Sequence, residues 1–188
     1  MGFFGILLLI VIAVVIYFIA IYNKFVSLSA SIDSSWSDID IQLKRRYNLI
    51  PALIETVKGY QAYESSTLEK IVEARNMAMS SQSVHEQGVA QSMLTQSLGK
   101  LFALAEAYPN LKADTTFANL QGQLVIIEDD IQNARRYYNA VVEEYNGKLK
   151  QFPDLLVANH FSFGDRDYFK LDDAEAQEVK KMPKVDFS

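Results

Sequence analysis

Histidine is the side chain most often used for proton transfer and metal binding. This chain has two, His85 and His160, in different stretches. Neither stands in an HExxH or ExxH pattern, so no zincin-type or ferritin-type di-iron site is encoded. There is no cysteine, which excludes disulfides, thiolate zinc sites, a thiol nucleophile and a lipid-modified cysteine. No GxGxxG or GxxxxGK[ST] run is present, and the serine-rich stretches lack a nucleophile-elbow context. The acidic runs Glu128-Asp129-Asp130 and Glu143-Glu144 read as solvated faces, because consecutive helical side chains point in different directions. No catalytic, cofactor-binding or metal-binding residue is assigned on these grounds, and no enzymatic activity is expected.

What remains is charge that can pair. Glu64 and Glu128 lie near apolar stripes, and Lys44, Arg45, Arg46, Arg75, Arg135 and Arg136 are available to them. A pair buried within a helical body sets helix register more than it adds stability, so structural pairing is preferred to catalysis. Lys44-Arg45-Arg46 can also meet lipid phosphates if the body folds back toward a membrane. The net charge is −5, carried entirely from Lys24 onward. That argues against non-specific nucleic-acid binding, which needs a basic surface.

The elements that position these residues begin with an apolar run, Phe3 to Tyr22, free of charge, proline and amide. As a helix it covers about 30 Å, the hydrocarbon thickness of a bilayer. It is longer than a signal-peptide core, no basic residue precedes it, and no small-x-small site follows it. A retained single-pass anchor over residues 1–23 is expected, with Tyr17 and Tyr22 as interfacial aromatics. Lys24 follows the run, so the positive-inside rule puts the body in the cytoplasm, with a periplasmic or extracellular body as the alternative. No glycine or proline occurs from Ile6 to Ile50. The membrane helix is therefore expected to run directly into the body. An anchor joined to its body in that way fixes the angle at which the body meets the membrane.

After Lys24 the pattern narrows to one stripe: Phe25, Leu28, Ile32, Trp36, Ile39, Leu43, Tyr47 and Ile50. Its flanks are small, with Ser27, Ala30, Ser31 and Ser34. Pro51 fits the first turn of a helix and Asn48 fits its cap. The spacing predicts a turn near residues 46–49 and a helix over about 49–80. A single helix kinked at Pro51 is the rival, because the stripe stays nearly in phase through Leu53 and Val57. Residues 80–88 read as a polar loop. Helices of about 88–108 and 114–151 follow, the first stopped before Pro109 and the second capped by Asp114 or Thr115. The last keeps heptad spacing from Phe117 to Leu149. The fold class is all-α: one transmembrane helix continuous with an antiparallel four-helix bundle over residues 24–153. An aromatic-rich tail, 154–188, carries Phe161, Phe163, Phe169 and Phe187 and a short amphipathic stretch near residues 171–181. These aromatics are expected to dock on the bundle, on a partner or on a neighbouring subunit.

Several of these motifs together resemble the LemA family. The likeness is carried by Tyr22-Asn23, Trp36, the run IDIQLKRRYNLIPALIETVKGY (39–60) and Glu64. It continues in Ala74-Arg75, EAYPNLKA (106–113), Phe117, Leu120-Gln121 and Leu124. It extends through Glu128, Ala134-Arg135, YYN (137–139), YN (145–146) and Phe152-Pro153. The family commonly has Asn where this chain has Ala52, His where it has Tyr63, and Asn where it has Asp129. Roles built on those residues do not carry over. The resemblance implies a helical bundle on one membrane helix, with no established enzymatic activity. Similar proteins occur beside membrane proteases and TPM-domain proteins, and MamQ-like magnetosome proteins resemble the family too. The expected function is a bacterial membrane scaffold that forms homo-oligomers and organises or shapes the bilayer. An adaptor for a membrane protease or TPM-domain partner, docking through the aromatic tail, is the alternative. A small-ligand site in the bundle core ranks third.

Overall fold

A computed structural model describes residues 2–60 and 65–170. Glu64, Phe187 and the stretch 171–181 lie outside the described residues. Among the described residues every regular element is a helix: α1 Phe3–Lys58, α2 Ser65–Ser80, α3 Val84–Ala105, α4 Pro109–Lys112, α5 Thr115–Leu149 and α6 Asp154–His160.

The expected turn at residues 46–49 is absent, and α1 passes through Pro51 to Lys58. Asn48 is an exposed residue inside the helix rather than a cap. The periodicity was the better guide. Ile39, Leu43, Tyr47, Ile50, Leu53 and Val57 are all buried, so the stripe that must face the core does not change phase at the proline. An interior proline costs about 3 kcal/mol or more, because one carbonyl loses its donor. The way this chain replaces that donor is described below.

Helix α3 starts at Val84, inside the stretch read as a loop. Ser83 caps it by accepting from the Glu86 N–H at 3.2 Å, while the Glu86 carboxylate accepts from the Gln82 N–H at 2.9 Å. This is a near relative of the reciprocal S-x-x-E cap, and it places His85 in the first turn of a helix. Asp114 caps α5, accepting from the Phe117 N–H at 2.8 Å. Helix α6 opens the stretch read as a tail, with Val157 and Ala158 buried.

Two compact units divide the chain. The first takes α1 as far as Ile39 and the segment Ala134–Asp167. Ile21 is its first buried residue, and nearly every residue before it on α1 is exposed apolar surface. Phe25 is fully buried, lying edge-on to Tyr145 at 5.8 Å between centroids and stacked on Phe163 at 5.0 Å. Trp36 packs on Tyr138 at 5.4 Å. The second unit takes Asp40–Asn133 and, beyond the first, Tyr168 to Lys170. Ile50, Leu53, Ile71, Leu94 and Leu101 form its driest core.

Candidate functional site

The polar residues singled out by type converge in the second unit. Arg46 sits on the core side of α1 with its side chain 4% exposed. Its guanidinium donates to Gln91 Oε1 at 3.1 Å and to Thr95 Oγ1 at 2.8 Å, both on α3. It also pairs with the Glu128 carboxylate on α5 at 3.1 Å. Burial pulls the Arg46 pKa down, and the Glu128 charge pulls it back up. A buried arginine persists only when its donors and its charge are both matched, and here three acceptors surround it.

Tyr47, next in sequence, completes the cluster. Its hydroxyl accepts from Gln87 Nε2 at 2.7 Å and from Gln91 Nε2. Burial raises the phenol pKa, with the glutamine bonds and Arg46 acting against it. Its carbonyl faces Pro51, which has no N–H to return to it four residues on. Arg75 Nε, on α2, donates to that carbonyl at 3.0 Å. Arg75 therefore supplies from a neighbouring helix the bond that Pro51 cannot make. This ties α2 to α1 and lets α1 continue.

Four of the predicted site residues, Arg46, Pro51, Arg75 and Glu128, thus belong to one construction. Sequence reasoning missed Gln87 and Gln91, both buried. The signal was available: Gln87, Gln91, Leu94, Leu98, Leu101 and Ala105 follow one face at steps of three and four. A search for apolar residues passes over glutamines on that face.

The other predicted residues fall elsewhere. Lys44 is exposed and pairs with Asp40 at 2.6 Å, and Arg45 reaches Gln42 and Asp130 at the surface. Arg135 is half-buried on α5 in the first unit. Tyr60, also in the second unit, donates to Asp114 at 2.6 Å. That bond and the Phe117 N–H hold the Asp114 carboxyl below its usual range.

The aromatic segment is engaged within the chain as far as Lys170. In the first unit, Asn146 grips the Arg166 backbone twice: Nδ2 donates to its carbonyl at 2.8 Å, and Oδ1 accepts from its N–H at 2.9 Å. The Tyr138 hydroxyl donates to the Asp167 carbonyl at 2.9 Å. Burial, then the Asp167 charge, raises its pKa. Arg166 reaches Ser29 at 2.9 Å and stands near Asp33. Phe161 packs on Tyr22 at 4.6 Å. In the second unit Phe169 is 1% exposed, and the Lys170 carbonyl lies so close over Gly88 that an added Cβ would collide with it. Phe169 is buried, and half-buried Phe163 stacks on Phe25, so both pack within the chain, one of the alternatives expected for this segment.

Chemically the Arg46 cluster is closed. The cleft beside it holds about 170 Å³, below the range of about 300 Å³ upward of ordinary ligand pockets. Among the described residues no group of three or more His, Asp or Glu side chains is placed to hold a metal.

The chain is 24% identical over 175 residues to magnetosome protein MamQ 2 of Paramagnetospirillum magneticum, covering 79% of this chain and 64% of that protein. It thus spans somewhat less than two thirds of the MamQ relatives it matches. It is 26% identical over 181 residues to protein LemA of Metamycoplasma hominis, covering 94% of this chain and 82% of that one. The LemA family profile matches residues 35–187. By this match, over a region that includes the Arg46–Tyr47–Pro51–Arg75 construction, the chain belongs to the LemA family.

Proposed function

We propose that this protein is a single-pass, membrane-anchored helical scaffold that self-associates and organises the bilayer around it. One observation carries the reading: the apolar run and the first polar segment are a single helix, Phe3–Lys58, whose N-terminal part is long and apolar enough to cross a membrane. Its long helices act as an antiparallel four-helix body. The buried polar residues serve as ties between helices. The likeness to proteins of the magnetosome supports a role at a membrane. Beyond the span, Ser27, Ala30, Ser34 and Ser37 are exposed at steps of three and four. Small residues in that spacing allow a second helix to approach closely. The body lies on the cytoplasmic side, as the Lys24 charge bias favours.

Mass photometry of the full chain, extracted with its native lipid, tests the assembly. Discrete oligomers are expected, and a strict monomer at micromolar concentration rejects it. The absence of cysteine allows a direct test of sidedness. Lys100→Cys, on an exposed position of α3, should react with a membrane-impermeant maleimide only after cells are lysed, and labelling in intact cells reverses the orientation.

A further inference from the structure

Unit one carries a second apolar surface that its own core does not use. Phe152 is 79% exposed, and Leu156 and Phe161 are about half exposed. All three surround α6, whose opposite side, Val157 and Ala158, is buried. The surface has a fixed level along α1. Gln151, Phe152 and Pro153 share a cleft of about 400 Å³ with Tyr17, Ala20 and Ile21, lined on its polar side by Lys24, Lys148 and Asp154. Phe161 packs on Tyr22. The stretch Tyr17 to Tyr22 rises about 7.5 Å. It is the last part of the apolar span before the first charge, Lys24. An interfacial apolar element reaches about 5–10 Å into the headgroup–acyl boundary, which is the same depth range.

We propose that Phe152, Leu156 and Phe161 form a membrane-inserted foot, a second contact of the body with the bilayer that lies in the interface beside the transmembrane helix. This rests on the reading of Phe3–Tyr22 as a bilayer span. The occupant is lipid because the patch is continuous with the exposed apolar surface of α1 at the level where a bilayer ends. Aromatic rings are the side chains that favour this zone. Of the nearby cations, Lys24 is matched by Glu144 at 3.0 Å and Lys148 by Asp154 at 3.4 Å. The three side chains of the contact itself are apolar. Two points of attachment would hold the first unit at a set tilt, where one helix alone leaves it free to rotate about its axis.

The test uses the full chain in phosphatidylcholine vesicles, with a fluorophore on a single introduced cysteine and spin-labelled lipid as quencher. Leu156→Cys should be quenched severalfold more than Ser34→Cys, and most strongly by spin labels near the headgroup. Ile12→Cys should be quenched most by labels deep in the acyl chain. If residue 156 behaves like residue 34 while residue 12 is quenched, the span stands and the foot is rejected. If residue 156 is shielded from aqueous iodide yet not quenched by lipid, a second protein copy covers the patch and the foot is again rejected. If residue 12 is not quenched, the span itself fails and the foot fails with it.

Discussion

Pro51 and Arg75 are far apart in sequence and act on one atom, the Tyr47 carbonyl. Removing Arg75 leaves that carbonyl without a donor, so Arg75→Ala should cost about 1–3 kcal/mol, the penalty of an unpaired buried polar group. Chemical denaturation followed by helical circular dichroism reads the loss. In a Pro51→Ala background the new N–H can take the carbonyl, and the same change should cost measurably less. A thermodynamic cycle without coupling would refute the pairing. Glu128→Gln asks a different question, because it removes a charge and leaves Arg46 buried. The cost should approach the 3–5 kcal/mol of a broken buried pair, reduced because Glu128 reaches solvent and Gln91 and Thr95 stay in place. The pairing role of Arg46 and Glu128 was legible from their types. The role of Pro51 was not, since the sequence shows a lost donor and cannot show its replacement.

At the scale of elements, the segment after α6 is held by specific contacts that composition does not disclose. Asn146→Ala removes both bonds to the Arg166 backbone and should free residues 161–170 to proteolysis. Gly88→Ala acts on Lys170, within the second unit. Alanine improves an ordinary helix position by up to about 1 kcal/mol over glycine, yet here its Cβ collides with the Lys170 carbonyl. Net destabilisation and faster cleavage near Lys170 are expected, and a stabilised Gly88→Ala protein would contradict the close approach. Deletion from residue 154 onward should damage the body, since it removes buried Phe169 from the second unit and the Phe163 ring stacked on Phe25 in the first. The cap of α5 was readable as Asp114, because a cap is decided within four residues. The same kind of signal at Ser83-x-x-Glu86 is passed over when residues 80–88 are read as a loop. The partner of Gly88 was not readable, because it arrives from a distant part of the chain.

For the molecule as a whole, stability should form a plateau in pH with a distinct cause at each edge. The Asp114 carboxyl titrates lower in the folded state than in the unfolded one. Its contribution is complete above the ordinary carboxylate value of about 4 and is lost as pH falls through the folded value. The Tyr47 and Tyr138 phenols titrate higher when folded. The unfolded state sheds those protons first, so their contribution holds below about pH 10 and declines above it. Asp114→Asn should flatten the acid limb and Tyr138→Phe part of the alkaline limb, read from thermal unfolding across pH. The assembly is tested at this scale too. Single cysteines stepped from residue 26 to residue 38 should cross-link best at 27, 30, 34 and 37, and a flat profile would rule out a helix-to-helix seam there.

Periodicity and composition alone determined the apolar span, the all-helical class, the buried stripe of α1 and the unbroken phase of that stripe across Pro51. These are properties of one helix face or of a short local cap, and neighbouring residues are enough to encode them. Tertiary structure decided what a linear pattern cannot hold. It chose continuation over a turn at Pro51 by bringing Arg75 to the Tyr47 carbonyl. It turned Gln87 and Gln91 into core residues by giving them Arg46 and Tyr47 as partners. It chose among the alternatives open to the aromatic segment, stacking Phe163 on Phe25 and burying Phe169, because each found a complementary site far away in the sequence. The physical reason is the same in every case: a buried polar group or an aromatic ring takes its meaning from what lies opposite it, and only folding supplies that neighbour.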